Sequence, residues 1–209
     1  YRSGNLAHVD DDGQAALEGL GLRRIIDLRD YDEVRWGPSR TADLGVDTRR
    51  VPLFLGSVES FFENDVDLAT MYSRIVEHSA PQVVEVVRGI VEDQPVLVHC
   101  TVGKDRTGVT VALALSAAGV ERDAVVADYA RTETLLPAER NRSIVGRLRR
   151  MHPEARHLEE LATRSPAPVM RNLLASLDER YGSPADYLRA HGLADDEIAE
   201  LGRILVARV

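Results

Sequence analysis

Short apolar runs alternate with longer amphipathic segments along the first half of the chain. Residues 24–28 are apolar and β-branched at their centre, and residues 96–98 are continuously apolar, which is typical of buried strands. Residues 48–53 predict a further strand, and Pro52 would place its end at a sheet edge or in a loop. Residues 55–67 are expected to form a loop.

Apolar residues at helical spacing fill intervals between the predicted strands and then the whole second half of the chain. The predicted helices of the first half are residues 14–19, 68–78, 81–92 and 107–118. Those of the second half are 122–133, 137–150, 153–163, 169–181, 184–191 and 195–207, with Gly, Pro or Ser at the breaks. Strands that alternate with helices predict an α/β domain, with a central, mostly parallel sheet flanked by helices and a helical C-terminal half. In that half, Leu173, Leu174 and Leu177 form an apolar stripe that is expected to face the core.

The length of 209 residues favours a single domain, with the helices from about residue 137 onward packed on it. The net charge of -8 predicts an overall field that repels nucleic acid and anionic lipid, so any phosphate site must be local. The sequence contains no run of about 18 apolar residues and no basic stretch followed by an apolar one at its start. We therefore expect no transmembrane segment, and a protein that is cytoplasmic or exported without a recognisable signal peptide.

Cys100 is the only cysteine of the chain, and it lies where a predicted strand meets a predicted helix. A single cysteine excludes an internal disulfide and a multi-cysteine metal site, and we expect neither a metal nor a cofactor. By itself such a cysteine is usually an inert core residue. The alternative is a nucleophile, and the neighbouring residues favour it. Among them is Lys104, the only lysine in a chain whose Lys and Arg together number 26.

The residues that follow Cys100 have the properties of a phosphate-binding loop. A thiol at a helix N-terminus beside a fixed cation ionises more readily than a free thiol, whose pKa is about 8.5. The planar guanidinium of Arg106 can hold two phosphoryl oxygens at once. The residues between the two can turn their amides toward one anion. They are Thr101, Val102, Gly103, Lys104 and Asp105.

Four residues of this segment are expected to support the loop. Gly103 permits an unusual backbone conformation and close ligand approach, and Gly108 lets the following helix pack tightly against the strand. Thr107 can donate its hydroxyl hydrogen to the Cys100 sulfur. His99 is expected to be a buried donor that orients the loop rather than a base.

The pattern His-Cys-x-x-Gly-x-x-Arg-Thr-Gly resembles the signature of the protein-tyrosine phosphatase superfamily, in which a cysteine forms a phosphocysteine intermediate that water hydrolyses. The fuller pattern is similar to bacterial tyrosine and lipid phosphatases of the mycobacterial protein-tyrosine phosphatase B type. The segments that carry this similarity outside the loop are Arg2-Ser3-Gly4, Ile26-Asp27-Leu28-Arg29, Ala127-Asp128-Tyr129, Tyr181-Gly182-Ser183 and Tyr187-Leu188-Arg189.

The resemblance implies that Cys100 is the nucleophile and Arg106 the phosphate clamp, with residues 101–106 around the phosphate. It implies phosphotyrosine protein as substrate, with phosphoinositides and phosphoserine or phosphothreonine as further classes. Lys104 and Asp105 resemble the residues of the subgroup that accepts such lipids. The resemblance also suggests that part of the C-terminal helical region covers the active-site mouth as a lid.

The general acid is less well defined by the sequence. Many superfamily members use the aspartate of a Trp-Pro-Asp segment, but the only tryptophan here, Trp36, is followed by Gly37-Pro38. Asp105 is the first candidate because it lies within the loop, although it could instead be a structural partner of Arg106 or of nearby amides. Asp65 and Asp67 are further candidates, and both also suit a helix N-cap before residue 68.

Three further interpretations of the sequence remain open, one for Asp27 and Arg29 and two for the function of the protein. Asp27 and Arg29 end the first strand, where functional groups are common, but an ion pair at the sheet end explains them better. A rhodanese-like sulfurtransferase also uses one cysteine in a loop before a helix. A non-catalytic phosphoprotein-binding module would keep the scaffold, but such modules usually lose the cysteine or the arginine.

Overall fold

The computed structural model describes residues 1–53 and 58–206, and within them four short strands pair into one parallel sheet. The strands are β1 (Arg2–Ser3), β2 (Arg24–Asp27), β3 (Asp47–Arg50) and β4 (Val96–His99). Their order across the sheet is β1-β4-β2-β3, and every pairing is parallel. The prediction of an α/β fold with a parallel sheet is confirmed.

Helices flank this sheet and make up nearly all of the second half of the described chain. They are α1 (Asp11–Gly19), α2 (Tyr31–Trp36), α3 (Val58–Glu63), α4 (Leu68–His78), α5 (Ala80–Glu92), α6 (Arg106–Ala117), α7 (Arg122–Leu135), α8 (Ala138–Met151), α9 (Leu158–Thr163), α10 (Ala167–Tyr181), α11 (Pro184–Ala190) and α12 (Asp195–Leu205). A short 3-10 turn, Ala42–Leu44, precedes β3. No helix in the described ranges is long and apolar enough to cross a membrane.

Burial explains the placement of the strands and of the C-terminal helices. Every residue of β4 is buried, as is the rest of β2 after Arg24. One apolar core extends from these two strands into α10, where Leu173, Leu174 and Leu177 are buried as predicted. The C-terminal helices α10, α11 and α12 share this core with the sheet by packing on the helices α4 to α7.

Several predicted boundaries are wrong. Helix α3 occupies part of the segment expected to be a loop, whose residues 55–57 lie outside the described residues. The helix predicted over residues 153–163 begins only at Leu158, and the strand predicted over 48–53 ends at Arg50, before Pro52. The helix predicted over 195–207 ends at Leu205, and its last predicted residue is not described. Neither β1 nor α2 was predicted, because each is very short.

Candidate active site

The loop between β4 and α6 brings Cys100 and Arg106 to the carboxyl edge of the sheet. Cys100 is buried at the end of β4, and its Sγ accepts the amide hydrogen of Gly103 at an N to S distance of 3.2 Å. Arg106 begins α6, so the sulfur lies beside a helix N-terminus and a fixed cation. A helix N-terminus and a fixed cation are the surroundings typical of reactive cysteines.

Gly103 is required where the loop passes the N-terminal segment. Its φ is +77°, and a Cβ at this position would lie well inside 3.0 Å of the Ser3 carbonyl oxygen. The Asn5 amide donates to the Thr101 carbonyl oxygen at 3.0 Å, and Arg2 Nη2 donates to the Gly103 carbonyl oxygen at 3.2 Å. The segment from β1 to Asn5 thus fixes the path of the loop.

His99 is fully buried beneath the loop, where we expected a donor that orients it. Its Nδ1 donates to the Cys100 carbonyl oxygen at 3.3 Å, and its Nε2 lies 3.7 Å from Asp27 Oδ1. Burial lowers the pKa of His99, although the Asp27 charge acts in the opposite direction. A neutral ring at neutral pH follows, which suits a positioning role better than a charged one.

Asp27 and Arg29 form a buried ion pair at the end of β2. Arg29 donates from Nη2 to Asp27 Oδ2 at 2.7 Å and from Nε to Oδ1 at 2.9 Å, and only 1% of Arg29 is exposed. Burial opposes ionisation of Asp27, but the hydrogen bonds from Arg29 hold its pKa below the usual value. Arg29 also donates to Gly37 and Ser39, so the pair joins strand and loop, as the structural interpretation predicted.

Glu33 on α2 holds the guanidinium of Arg106 in a two-pronged ion pair. Arg106 Nη1 donates to Glu33 Oε2 and Nη2 donates to Oε1, both at 2.6 Å. Thr101 donates its hydroxyl hydrogen to the same carboxylate. Burial would raise the pKa of Glu33, but the hydrogen bonds and charge of Arg106 lower it to about 2. Glu33 is therefore ionised throughout the physiological range.

The sequence interpretation missed Glu33 altogether. A local signal was present, because Asp30 and Glu33 form a reciprocal capping box at the start of α2. The spacing Asp-x-x-Glu after a strand is a known helix start. That signal predicts the start of α2 but not the ion pair of Glu33 with Arg106, because the two residues are 73 positions apart.

Lys104 and Asp105 form a second network, directed away from Cys100. Lys104 is fully buried, and its Nζ donates to the Arg164 carbonyl oxygen at 2.8 Å and lies 2.9 Å from Asp105 Oδ1. The Lys104 ammonium is therefore held by Arg164 and Asp105, and the predicted part of Lys104 in phosphate binding falls to its backbone amide.

Asp105 has one oxygen engaged and one free within the described residues. Oδ1 accepts the hydroxyl hydrogen of Tyr72 at 2.8 Å in addition to the Lys104 contact, whereas Oδ2 makes no hydrogen bond there. Burial and the Asp105 charge raise the pKa of Tyr72, so the phenol stays protonated and donates. The Tyr72 oxygen is also 2.8 Å from the Tyr129 hydroxyl. Asp105 is thus held in place while Oδ2 remains available to a substrate.

The structure places the other two acid candidates away from the loop. Asp67 is the N-cap of α4 and accepts the Thr70 amide hydrogen at 2.8 Å, as the capping interpretation predicted. Asp65 is not a cap. Its carboxylate pairs with Arg156 Nε at 2.7 Å and accepts the Arg156 and His157 amide hydrogens. Neither aspartate lines the cavity above the loop.

Two predicted supporting contacts differ in the structure. Thr107 Oγ1 is buried without a hydrogen-bond partner in the described chain, so the predicted bond to Cys100 Sγ is absent here. Gly108 does permit close packing, but its neighbour is not the strand. A Cβ at Gly108 would lie 3.0 Å from the Tyr129 ring, so the glycine lets α6 approach α7.

A cavity of about 290 Å³ opens above the loop. Glu33, Asp105 and Arg106 lie on its polar side. The remaining wall is mostly apolar and is formed by Leu53, Phe61, Phe62, Met71, Ile144, Leu148, Leu161 and Ala162. Because α8 supplies Ile144 and Leu148 and α9 supplies Leu161 and Ala162, both helices of the C-terminal region border the mouth.

A second cavity of about 560 Å³ lies on the other side of Thr101 and Val102. Arg140 lines both cavities, and Arg131 lines the second one. In residues 1–53 and 58–206, no group of three or more His, Cys, Asp or Glu side chains is arranged to hold a metal ion.

Comparison with known proteins adds independent findings. The model of a family described as the tyrosine phosphatase family matches residues 1–207. The chain is 27% identical over 252 residues to the triple specificity protein phosphatase PtpB of Mycobacterium tuberculosis, an alignment that covers 99% of this chain and 90% of the relative. It is 31% identical over 212 residues to a tyrosine-protein phosphatase of Nostoc commune, covering 96% of this chain and 71% of the relative.

Proposed function

This chain belongs to the tyrosine phosphatase family, and from that premise we propose that Cys100 is the nucleophile with which it hydrolyses phosphate monoesters. The observation that carries this proposal is the position of Cys100 Sγ, which accepts the Gly103 amide hydrogen and shares its loop with Arg106. A rhodanese-like sulfurtransferase or a non-catalytic binding module has no comparable support.

In the first chemical step, the Cys100 thiolate attacks phosphorus and the bond between phosphorus and the ester oxygen breaks. Amides of residues 101–106 and the Arg106 guanidinium stabilise the charge on the three non-bridging oxygens. The ion pair with Glu33 occupies the two terminal nitrogens of Arg106, whereas its Nε makes no hydrogen bond in the described residues. That edge of the guanidinium remains for the phosphoryl group.

Asp105 is the proposed general acid, because its Oδ2 accepts no hydrogen bond within residues 1–53 and 58–206 and it lines the cavity beside Arg106. The protonated form of Asp105 gives its proton to the departing ester oxygen, which leaves as an alcohol or phenol, and Asp105 becomes the carboxylate. In the second step water attacks phosphorus, the bond between phosphorus and sulfur breaks, and Asp105 accepts the proton of that water. Phosphate leaves and the Cys100 thiolate is restored.

The substrate proposal covers phosphotyrosine protein first, with phosphoinositide and phosphoserine or phosphothreonine as further classes. The apolar wall contributed by Phe61, Phe62 and Leu161 suits an aromatic leaving group. Arg131 and Arg140 border the adjacent cavity, and neither forms an ion pair in the described residues. A headgroup with a second phosphate could reach them from the loop.

The test is phosphate release from a phosphotyrosine peptide, a phosphoserine peptide and phosphoinositides, measured for the wild type and for Cys100→Ser. We expect turnover of the phosphotyrosine peptide by the wild type only, with the peptide still bound by Cys100→Ser. Rapid acid quenching with labelled substrate should trap a phosphocysteine at position 100. Equal turnover by the two proteins, or thiosulfate sulfurtransferase activity without phosphate release, would overturn the proposal.

A further inference from the structure

Helix α8 has a charge opposite to that of the chain as a whole. It carries Arg140, Arg142, Arg147, Arg149 and Arg150 against one acidic residue, Glu139, in a chain of net charge -8. The overall charge predicts repulsion from anionic lipid, so α8 is a local exception. A basic helix of this kind creates a short-range positive field that salt screens over about 10 Å.

Most of these charges are unpaired. Arg149 pairs with Glu159 at 2.8 Å, whereas the side chains of Arg142, Arg147 and Arg150 make no ion pair or hydrogen bond within residues 1–53 and 58–206. All three are exposed. Elsewhere in this part of the chain most arginines have a carboxylate partner, so the free charges are concentrated on one helix.

Two of the unpaired arginines of α8 lie apart from its cavity-lining apolar residues. Ile144 and Leu148 are four residues apart and line the active-site cavity. At 100° per residue, Arg142 and Arg150 fall on the other side of the helix. No residue of α8 is fully buried, so the helix lies on the surface as an amphipathic element.

Large exposed apolar side chains flank the same region. Leu135, 67% exposed, ends α7 immediately before α8, and Met151, 49% exposed, is the last residue of α8. Across the cavity, α2 supplies Glu33 to the site and also exposes Tyr31 and Trp36. Tyrosine and tryptophan are favoured where an apolar phase meets water.

From this combination we propose that α8 docks the protein on an anionic lipid bilayer through its exposed, arginine-bearing face. Unpaired arginines with exposed apolar and aromatic side chains nearby match the chemistry of an anionic lipid surface. An acidic peptide would need the charges alone, so the exposed apolar and aromatic side chains favour the bilayer. The docking surface goes beyond the proposed catalytic function, and it would serve a phosphoinositide substrate by holding the enzyme where the headgroups are.

The test is co-sedimentation with vesicles of phosphatidylcholine, with and without phosphatidylserine. Neither lipid carries a phosphate monoester, so binding does not depend on the catalytic proposal. We expect binding only with phosphatidylserine present, and release at high salt. The triple variant Arg142→Gln, Arg147→Gln, Arg150→Gln should bind roughly a hundredfold more weakly, at the usual contribution of a basic residue near a charged surface.

The control for net charge is Arg23→Gln, Arg171→Gln, Arg203→Gln, which removes three charges from exposed positions outside α8, two of them paired with Asp123 and Glu200. It should keep wild-type binding, and both variants should hydrolyse p-nitrophenyl phosphate at the wild-type rate. The proposal is overturned if the wild type does not bind vesicles that contain phosphatidylserine, or if the two triple variants bind these vesicles equally. It is also overturned if the α8 variant binds vesicles like the wild type and has lost only a preference for acidic phosphopeptides. The same holds if it has lost only self-association, measured by sedimentation.

Discussion

Replacing Glu33 by glutamine tests how Arg106 is held in position. Burial raises the pKa of Glu33, but Arg106 lowers it to about 2 from the usual 4.5. At 1.36 kcal/mol per pKa unit, the difference corresponds to a preference on the order of 3 kcal/mol for the ionised pair. Glutamine keeps the size of the side chain and can still accept the Asp30 amide hydrogen that Glu33 Oε2 accepts at 3.0 Å. It cannot accept both bonds from Arg106.

We expect Glu33→Gln to lose about 1.5–3 kcal/mol of transition-state stabilisation, which is a fall of roughly 10- to 100-fold in kcat/KM. Most of the loss should appear in kcat, because the guanidinium follows the phosphoryl group through the transition state. Steady-state kinetics with p-nitrophenyl phosphate measures it. The matched control is Asp32→Asn, which removes one exposed negative charge from the same helix.

The same ion pair gives a stability prediction with a defined pH window. The pKa of Glu33 in the folded protein lies below its unfolded value, so the pair stabilises the fold fully above about pH 5 and is lost as pH falls from 4.5 toward 2. The difference in Tm between wild type and Glu33→Gln should therefore shrink over that range.

If Glu33→Gln matches Asp32→Asn in kcat/KM, Glu33 does not position Arg106. Higher activity would mean that Glu33 holds Arg106 away from phosphate.

Two further substitutions test the acid and the loop. Asp105→Asn should lower kcat more for phosphotyrosine than for p-nitrophenyl phosphate, because the p-nitrophenolate leaving group needs less protonation. It should also remove one limb of the pH profile of kcat, which Asp67→Asn should leave unchanged. An unaltered rate in Asp105→Asn would exclude Asp105 as the acid. Gly103→Ala places a methyl group against the Ser3 carbonyl oxygen at a positive φ, so we expect near-complete loss of activity and a lower Tm. Gly146→Ala, in exposed α8, should instead raise stability by about 0.5–1 kcal/mol, and equal effects of the two alanines would refute the steric argument.

Helices whose apolar residues recur at helical spacing were predictable from the sequence, whereas the shortest strands and helices were not. Helix α4 runs over Leu68–His78, the range that its periodicity predicts. Strand β1 has only two residues, and it exists because it pairs with β4. Helix α2 has six residues and buries none of them, so no apolar period marks it. Such elements are specified by tertiary contacts that a local pattern does not contain.

The candidate site divides in the same way. The loop residues are adjacent in sequence, so Cys100 and Arg106 were recognisable from their spacing alone. Their partners come from distant segments, and the identity of Glu33 depends on how α2 packs against the loop. Lys104 is a further example, because the sequence marks it as the only lysine but does not show that it is buried and donates to the distant Arg164 carbonyl oxygen.

That link between Lys104 and Arg164 has a consequence for biosynthesis. The catalytic loop is translated well before the segment that accepts the Lys104 hydrogen bond, which follows 60 residues later. While the chain is still on the ribosome, the loop lacks this anchor and the helices beyond it. The contact that holds Lys104 in the folded protein therefore cannot form until residue 164 has been made.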